Sequence, residues 1–121
     1  MSKVIVIDDE PFILMMIEDK LLKAGIKVIT LRESVNAMSV IKTEKPDLIV
    51  LDWMMPELSG IDLCKMIVSD TETANIPIFM LTAKGQEADE KLGLSCGATR
   101  YITKPFSPKA LLELIKQTIG K

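Results

Sequence analysis

An alternation constrains this chain more than any other feature. Short, apolar, β-branched runs are separated by longer stretches of helical periodicity, and the pair repeats five times. Val4-Ile5-Val6-Ile7, Lys27 to Leu31, Leu48-Ile49-Val50-Leu51, Pro77 to Leu81 and Thr99 to Ile102 read as strands. Pro11 to Ala24, Ser34 to Glu44, a stretch after the Pro56–Gly60 loop as far as Ser69, Gln86 to Ser95, and Pro108 to Ile119 read as helices. Strands and helices in strict alternation argue for a parallel sheet with helices on both faces. Strands apolar at nearly every position fit burial on both sides. The expected fold is therefore α/β, a doubly wound five-stranded parallel sheet. Five strands favour the order 2-1-3-4-5 over the six-stranded dinucleotide-binding type.

The boundaries have local chemical reasons. Pro11 suits a first helical position and Gly25 a helix stop. Ile13, Met16, Ile17, Leu21 and Ala24 share one face of the helix between them. Ser34 is expected to cap the second helix, and Pro46 to mark its end. Ser107, followed by Pro108, is expected to cap the last. The 121 residues suffice for one domain with a real core, so a single domain over 1–121 is expected.

Composition excludes several kinds of chemistry. There is no histidine. Ser-His-Asp and Cys-His catalysis and the usual zinc sites are thereby ruled out. A metal must be held by oxygen, which favours a hard cation such as Mg2+. Cys64 and Cys96 form no CxxC unit and read as small buried hydrophobes. The net charge is -2, with no basic stripe for nucleic acid. No apolar run is long enough to span a bilayer, and Met1-Ser2-Lys3 lacks a signal-peptide layout. A cytoplasmic protein making no membrane or direct nucleic-acid contact is the expectation.

In open α/β sheets, ligands sit outside the carboxyl ends of the strands. Asp8, Asp9 and Glu10 follow the first apolar run, Asp52 the third, Thr82 the fourth, and Lys104 and Pro105 the fifth. The order 2-1-3-4-5 makes these four strands neighbours, so their polar ends converge in one crevice. Crowded carboxylates must raise a pKa or gather a cation. Mg2+ commonly takes one or two carboxylates, waters and a phosphate oxygen. Lys104 adds a mobile positive charge, and Thr82 a hydroxyl that can donate to an anion. The set is poor in acids and bases but rich in groups that position and neutralise a phosphoryl group. A carboxylate can itself be the nucleophile, giving an aspartyl phosphate. Taken singly, Asp8 and Asp9 also suit capping of the helix that begins at Pro11.

Four pieces are spread over essentially the whole chain: Val6-Ile7-Asp8-Asp9-Glu10, Pro46-Asp47-Leu48-Ile49-Val50-Leu51-Asp52-Trp53-Met54-Met55-Pro56, Leu81-Thr82-Ala83-Lys84, and Gly97-Ala98-Thr99-Arg100-Tyr101-Ile102-Thr103-Lys104-Pro105-Phe106. Together they resemble the receiver domain of two-component response regulators. Each is short, but their order and spacing are specific. The resemblance implies a flavodoxin-like (βα)5 fold and a chemotaxis-regulator-like single domain. It implies Asp52 as phosphoacceptor and metal ligand, Asp9 as a direct Mg2+ ligand, Asp8 as a ligand through water, and the Met54 backbone carbonyl as a further ligand. Thr82 and Tyr101 resemble the switch pair, Lys104 the lysine that pairs with the phosphoryl group, and Lys104-Pro105 the family's cis peptide.

The implied donor is the phosphohistidine of a sensor histidine kinase or histidine phosphotransfer protein. A chain without histidine cannot be that donor itself. The implied output surface comprises the helix after Gln86, the strand ending at Ile102 and the helix after Pro108, which would act on a partner or effector. The expectation is a phosphoacceptor switch and not an enzyme, catalysing only its own phosphorylation and dephosphorylation. The chain is expected to be a stand-alone receiver or a receiver cut from a longer protein. Three rival readings of these residues are an aspartyl-nucleophile phosphatase, a flavin or nucleotide binder, and a module that never needs phosphorylation. The first lacks a separate acid and a cap domain. The second lacks a Gly- or Ser/Thr-rich phosphate loop after the first strand.

Some features are individual to this chain. Met54 and Lys84, two residues past Asp52 and Thr82, are expected to flank the entrance for attacking water and to tune phosphoryl lifetime. Phe12-Ile13-Leu14-Met15-Met16-Ile17 cannot all be buried on one helix face. Phe12, Leu14 and Met15 are the candidate docking residues for a kinase or phosphotransfer helix.

Overall fold

The structure is a computed structural model, and it describes residues 2–83 and 96–120. The described elements run β1 (Lys3–Ile7), α1 (Pro11–Lys23), β2 (Lys27–Leu31), α2 (Ala37–Glu44), β3 (Leu48–Asp52), α3 (Gly60–Ser69), β4 (Ile78–Ala83), β5 (Arg100–Lys104) and α4 (Pro108–Ile119). The helix expected over Gln86 to Ser95, and Lys84 with it, lie outside the described residues. All strand pairings are parallel, in the order β2-β1-β3-β4-β5. This is the doubly wound sheet that the alternation predicts.

The two faces of the sheet explain the unbroken apolar strands. Successive strand residues point to opposite faces. Ile5, Ile7, Ile49 and Leu51 pack with Ala37, Ile41, Leu63, Cys64 and Ile67, from α2 and α3. Val4, Val6, Leu48, Val50, Phe79 and Leu81 pack with Leu14, Ile17, Leu21, Leu111 and Ile115, from α1 and α4. Each central strand therefore feeds two cores.

Several local expectations are met. Pro11 opens α1, and Gly25 follows it with φ 80°. The Ser107 side chain accepts from the Ala110 N–H at the start of α4, whose first residue is Pro108. Cys64 and Cys96 are both buried, and the Cys64 thiol donates to the Cys96 carbonyl at 3.6 Å. Among the described residues no helix is long and apolar enough to cross a membrane.

Others are corrected. Ser34 does not cap α2. That helix starts at Ala37, after Asn36, because the Ser34 hydroxyl donates to the Leu58 carbonyl instead. β4 and β5 extend past the apolar runs that mark them, since the ladder continues through Thr82↔Thr103 and Ala83↔Lys104. Thr82 and Lys104 therefore lie within strands rather than beyond them. Gly60 is the first residue of α3, not the end of a loop. Its N–H donates to the Trp53 carbonyl at 2.8 Å, and a Cβ there would fall 2.1 Å from the Asp52 carbonyl oxygen. Only glycine lets the α3 N-terminus lie this close to the backbone of β3.

Candidate functional site

Register brings the acids together. β1 and β3 pair Ile7 with Leu51, so Asp8 and Asp52 leave the sheet at the same level. Asp52 pairs with Leu81, one residue before Thr82, and Ala83 pairs with Lys104. The carboxyl ends of β1, β3, β4 and β5 thus form one rim.

Asp8 is fully buried, and Asp52 is only 4% exposed. Lys104 joins them, its Nζ 3.0 Å from Asp8 Oδ2 and 3.3 Å from Asp52 Oδ1, with Glu10 Oε1 at 3.7 Å. Asp8 Oδ1 accepts from the Glu10 N–H at 2.9 Å. That bond closes a turn ahead of α1. Neither Asp8 nor Asp9 caps the helix: its cap position is Glu10, which makes no side-chain capping bond. Asp8, Asp9 and Glu10 each offer a carboxylate oxygen, all within 4.8 Å of one another.

Electrostatics follow from this crowding. Burial, then the Asp8 carboxylate, push the Asp52 carboxyl up to about 7, against the pull of Lys104. Burial alone lowers the Lys104 ammonium, but Asp8, Asp52 and Glu10 outweigh it and hold the group above its ordinary value. One lysine thus faces three carboxylates, with Asp9 beside them. Such a surplus of acidic groups, two of them buried, with oxygen donors only, fits a hard divalent cation. The residues present therefore suit Mg2+.

The remaining candidates fall at different depths. Thr82 is buried in β4. Tyr101, on β5, is half-buried and meets the Trp53 ring edge-on, with centroids 5.7 Å apart and planes at 90°. The Lys104–Pro105 peptide is cis. The Met54 side chain is exposed between buried Trp53 and Met55. Phe12 and Met15 are 66% and 61% exposed, one turn apart on α1. Leu14 is 5% exposed and sits in the core with Ile17 and Leu21, so it leaves the docking set. Trp53 and Gly60 carry local structure that the sequence did not single out, and Ser34 bonds the Leu58 carbonyl rather than making the expected cap. Only Gly60 leaves a signal, a glycine just inside a helix start.

The chain matches the family described as the response regulator receiver domain over residues 4–116. It belongs to that family, the receivers of two-component systems. It is 45% identical to the phosphate regulon transcriptional regulatory protein PhoB of Pseudomonas aeruginosa, over 98% of this chain and 52% of that protein. It is also 45% identical to the alkaline phosphatase synthesis transcriptional regulatory protein PhoP of Bacillus subtilis, over 99% of this chain and 49% of that protein. The chain thus spans about half the length of these relatives. Among solved structures, the Vibrio cholerae chemotaxis protein CheY4 superposes with a TM-score of 0.90 at 30% identity, covering 98% of both chains.

Proposed function

We propose that this domain accepts a phosphoryl group on Asp52 from the phosphohistidine of a sensor kinase or phosphotransfer protein, and that the acyl phosphate switches its β5–α4 side. The observation that carries this reading is the Lys104 bridge between buried Asp8 and Asp52 at the rim of four parallel strands.

Asp52 attacks phosphorus, and the phosphorus–nitrogen bond of the donor breaks. Asp9, Asp52, Asp8 through water, and the Met54 backbone carbonyl are the groups that would hold Mg2+, whose charge would offset that of the phosphoryl oxygens. Lys104 already lies within reach of Asp52 and exchanges that carboxylate for a phosphoryl oxygen. The product adds roughly -1.5 to -2 of charge at a site already acidic. Thr82 moves its hydroxyl onto that charge, and Tyr101 follows into the space vacated. A local charge event thereby biases a two-state element. The domain turns over no external substrate; its chemistry is its own phosphorylation and dephosphorylation. Its output passes through β5, α4 and the segment after Gln86 to an effector; the similar PhoB and PhoP proteins are transcriptional regulatory proteins.

Phe12 and Met15 form the docking patch for the donor's helix, beside the rim. Met54 and Lys84 set how readily water reaches the acyl phosphate. Acetyl phosphate with Mg2+ is expected to add one phosphoryl group per chain by intact mass, and a chelator to prevent it. Labelling indifferent to the chelator contradicts the metal's role. Phe12→Ala and Met15→Ala are expected to slow transfer from the cognate donor without slowing labelling by acetyl phosphate.

A further inference from the structure

The β3–α3 connection, which carries Met54, is fixed at several points. Its ends are closed by the Gly60 N–H donating to the Trp53 carbonyl at 2.8 Å. Within it, the Leu58 N–H donates to the Pro56 carbonyl at 2.9 Å. That bond makes a γ-turn centred on Glu57, whose φ of 69° is one that L residues rarely adopt. A strained turn persists only when its surroundings hold it. The Leu58 carbonyl, at the end of that turn, takes the hydroxyl of Ser34 from the β2–α2 connection. Ser34 is 1% exposed and lies 24 residues away in sequence. The β2 side also reaches the other acidic loop, because the Asp8 N–H donates to the Leu31 carbonyl at 3.0 Å.

One short stretch, Leu31 to Ser34, therefore braces both loops that bear proposed metal-binding groups. Leu31 holds the backbone of Asp8, and Ser34 holds the loop of Met54. A main-chain carbonyl can be aimed at a cation only by fixing the backbone around it, and groups behind the ligands commonly do this.

We infer that Ser34 is a positioning residue for the cation site: its hydroxyl, bonded to the Leu58 carbonyl, holds the β3–α3 connection in the form that presents the Met54 carbonyl. This rests on the metal-assisted phosphorylation proposed above. Ser34 touches neither the phosphoryl group nor the cation. Its effect passes through the loop.

The sole tryptophan, Trp53, lies between Asp52 and Met54 and supplies the readout. Mg2+ is titrated into the full chain without phosphodonor while Trp53 fluorescence is followed, and urea unfolding is measured in parallel. Ser34→Ala is expected to weaken Mg2+ binding by roughly fivefold, the loss of one hydrogen bond behind a ligand. Ser34→Thr, which keeps the hydroxyl, is expected to bind within about twofold of wild type. If Ser34→Ala does not fold, Ser34→Cys keeps the volume with a much weaker donor, and the same loss is expected. Folded Ser34→Ala or Ser34→Cys with wild-type Mg2+ affinity, even with a lowered urea midpoint, overturns the inference and leaves the proposed function standing. Wild-type protein that binds no Mg2+ overturns the proposed function itself.

Discussion

Two lysines in this molecule each gather carboxylates, with opposite consequences. Lys42, on α2, pairs with Asp70 at 2.7 Å and Glu72 at 3.6 Å, just past α3. Lys104 pairs with Asp8, Asp52 and Glu10 at similar distances. At the exposed cluster, the Lys42 hydrogen bond holds the Asp70 carboxyl below its ordinary value. At the rim, Asp52 is pushed up to about 7 although Lys104 lies 3.3 Å away, because burial and then Asp8 outweigh the lysine. The chemistry is the same and the surroundings differ. Water shields and solvates the first set. In the second set Asp8 and Asp52 are buried, and with Glu10 at the surface they outnumber the one lysine. A lysine–carboxylate contact is therefore no mark of function, whereas a buried acid surplus at strand ends is.

The largest expected effect separates the two lysines. Lys104→Met is expected to cost roughly 2–3 kcal/mol of stability near neutral pH without metal, because buried carboxylates lose their counter-charge. Lys42→Met is expected to leave the unfolding midpoint nearly unchanged. Added Mg2+ should restore much of the Lys104→Met loss. Urea unfolding of the two variants, with and without Mg2+, checks both statements. Equal losses would erase the distinction.

Asp52→Asn should act in the opposite direction. A carboxyl raised from 3.8 to about 7 holds its proton in the native state where the unfolded chain has already released it. Stability from this group is thus greatest below its unfolded pKa and declines as pH rises through the folded value. Asp52→Asn removes that decline. It is expected to stabilise the metal-free protein by roughly 1–2 kcal/mol at about pH 8, with the gain fading towards about pH 4. Asp70 is depressed, so its contribution is present at neutral pH and lost on acidification. Asp70→Asn should therefore give no gain at any pH. Thermal unfolding across pH measures both.

The smallest expected effect concerns salt. At about 1 M salt the screening length falls to about 3 Å. The Asp70 shift should relax towards its ordinary value, while the Asp52 shift, set first by burial, should persist. Carboxyl titrations followed by NMR distinguish these outcomes.

Much of the rim was legible because parallel strands write themselves plainly. Val4–Ile7 and Leu48–Leu51 are apolar at every position, so the first polar residue after each, Asp8 or Asp52, had to lie at a strand end. Leu14 was misplaced for the converse reason. Residues 12–17 are all apolar, and periodicity cannot choose among overlapping faces. The core selects Leu14, Ile17 and Leu21, leaving Ile13 and Met16 only partly buried. Ser34 was misread because a serine ahead of a helix suits a cap, whereas its partner is a carbonyl in a distant loop. β4 and β5 run past their apolar residues because backbone pairing continues after apolar side chains stop.

Asp52 is the centre of the proposed chemistry, and the most direct test is covalent. Wild-type protein and Asp52→Asn are incubated with acetyl phosphate and Mg2+, and the phosphoryl group is located by peptide mass spectrometry. The expected result is one label at Asp52 in the wild type and none in the variant. Undiminished labelling of Asp52→Asn at another defined residue would contradict it.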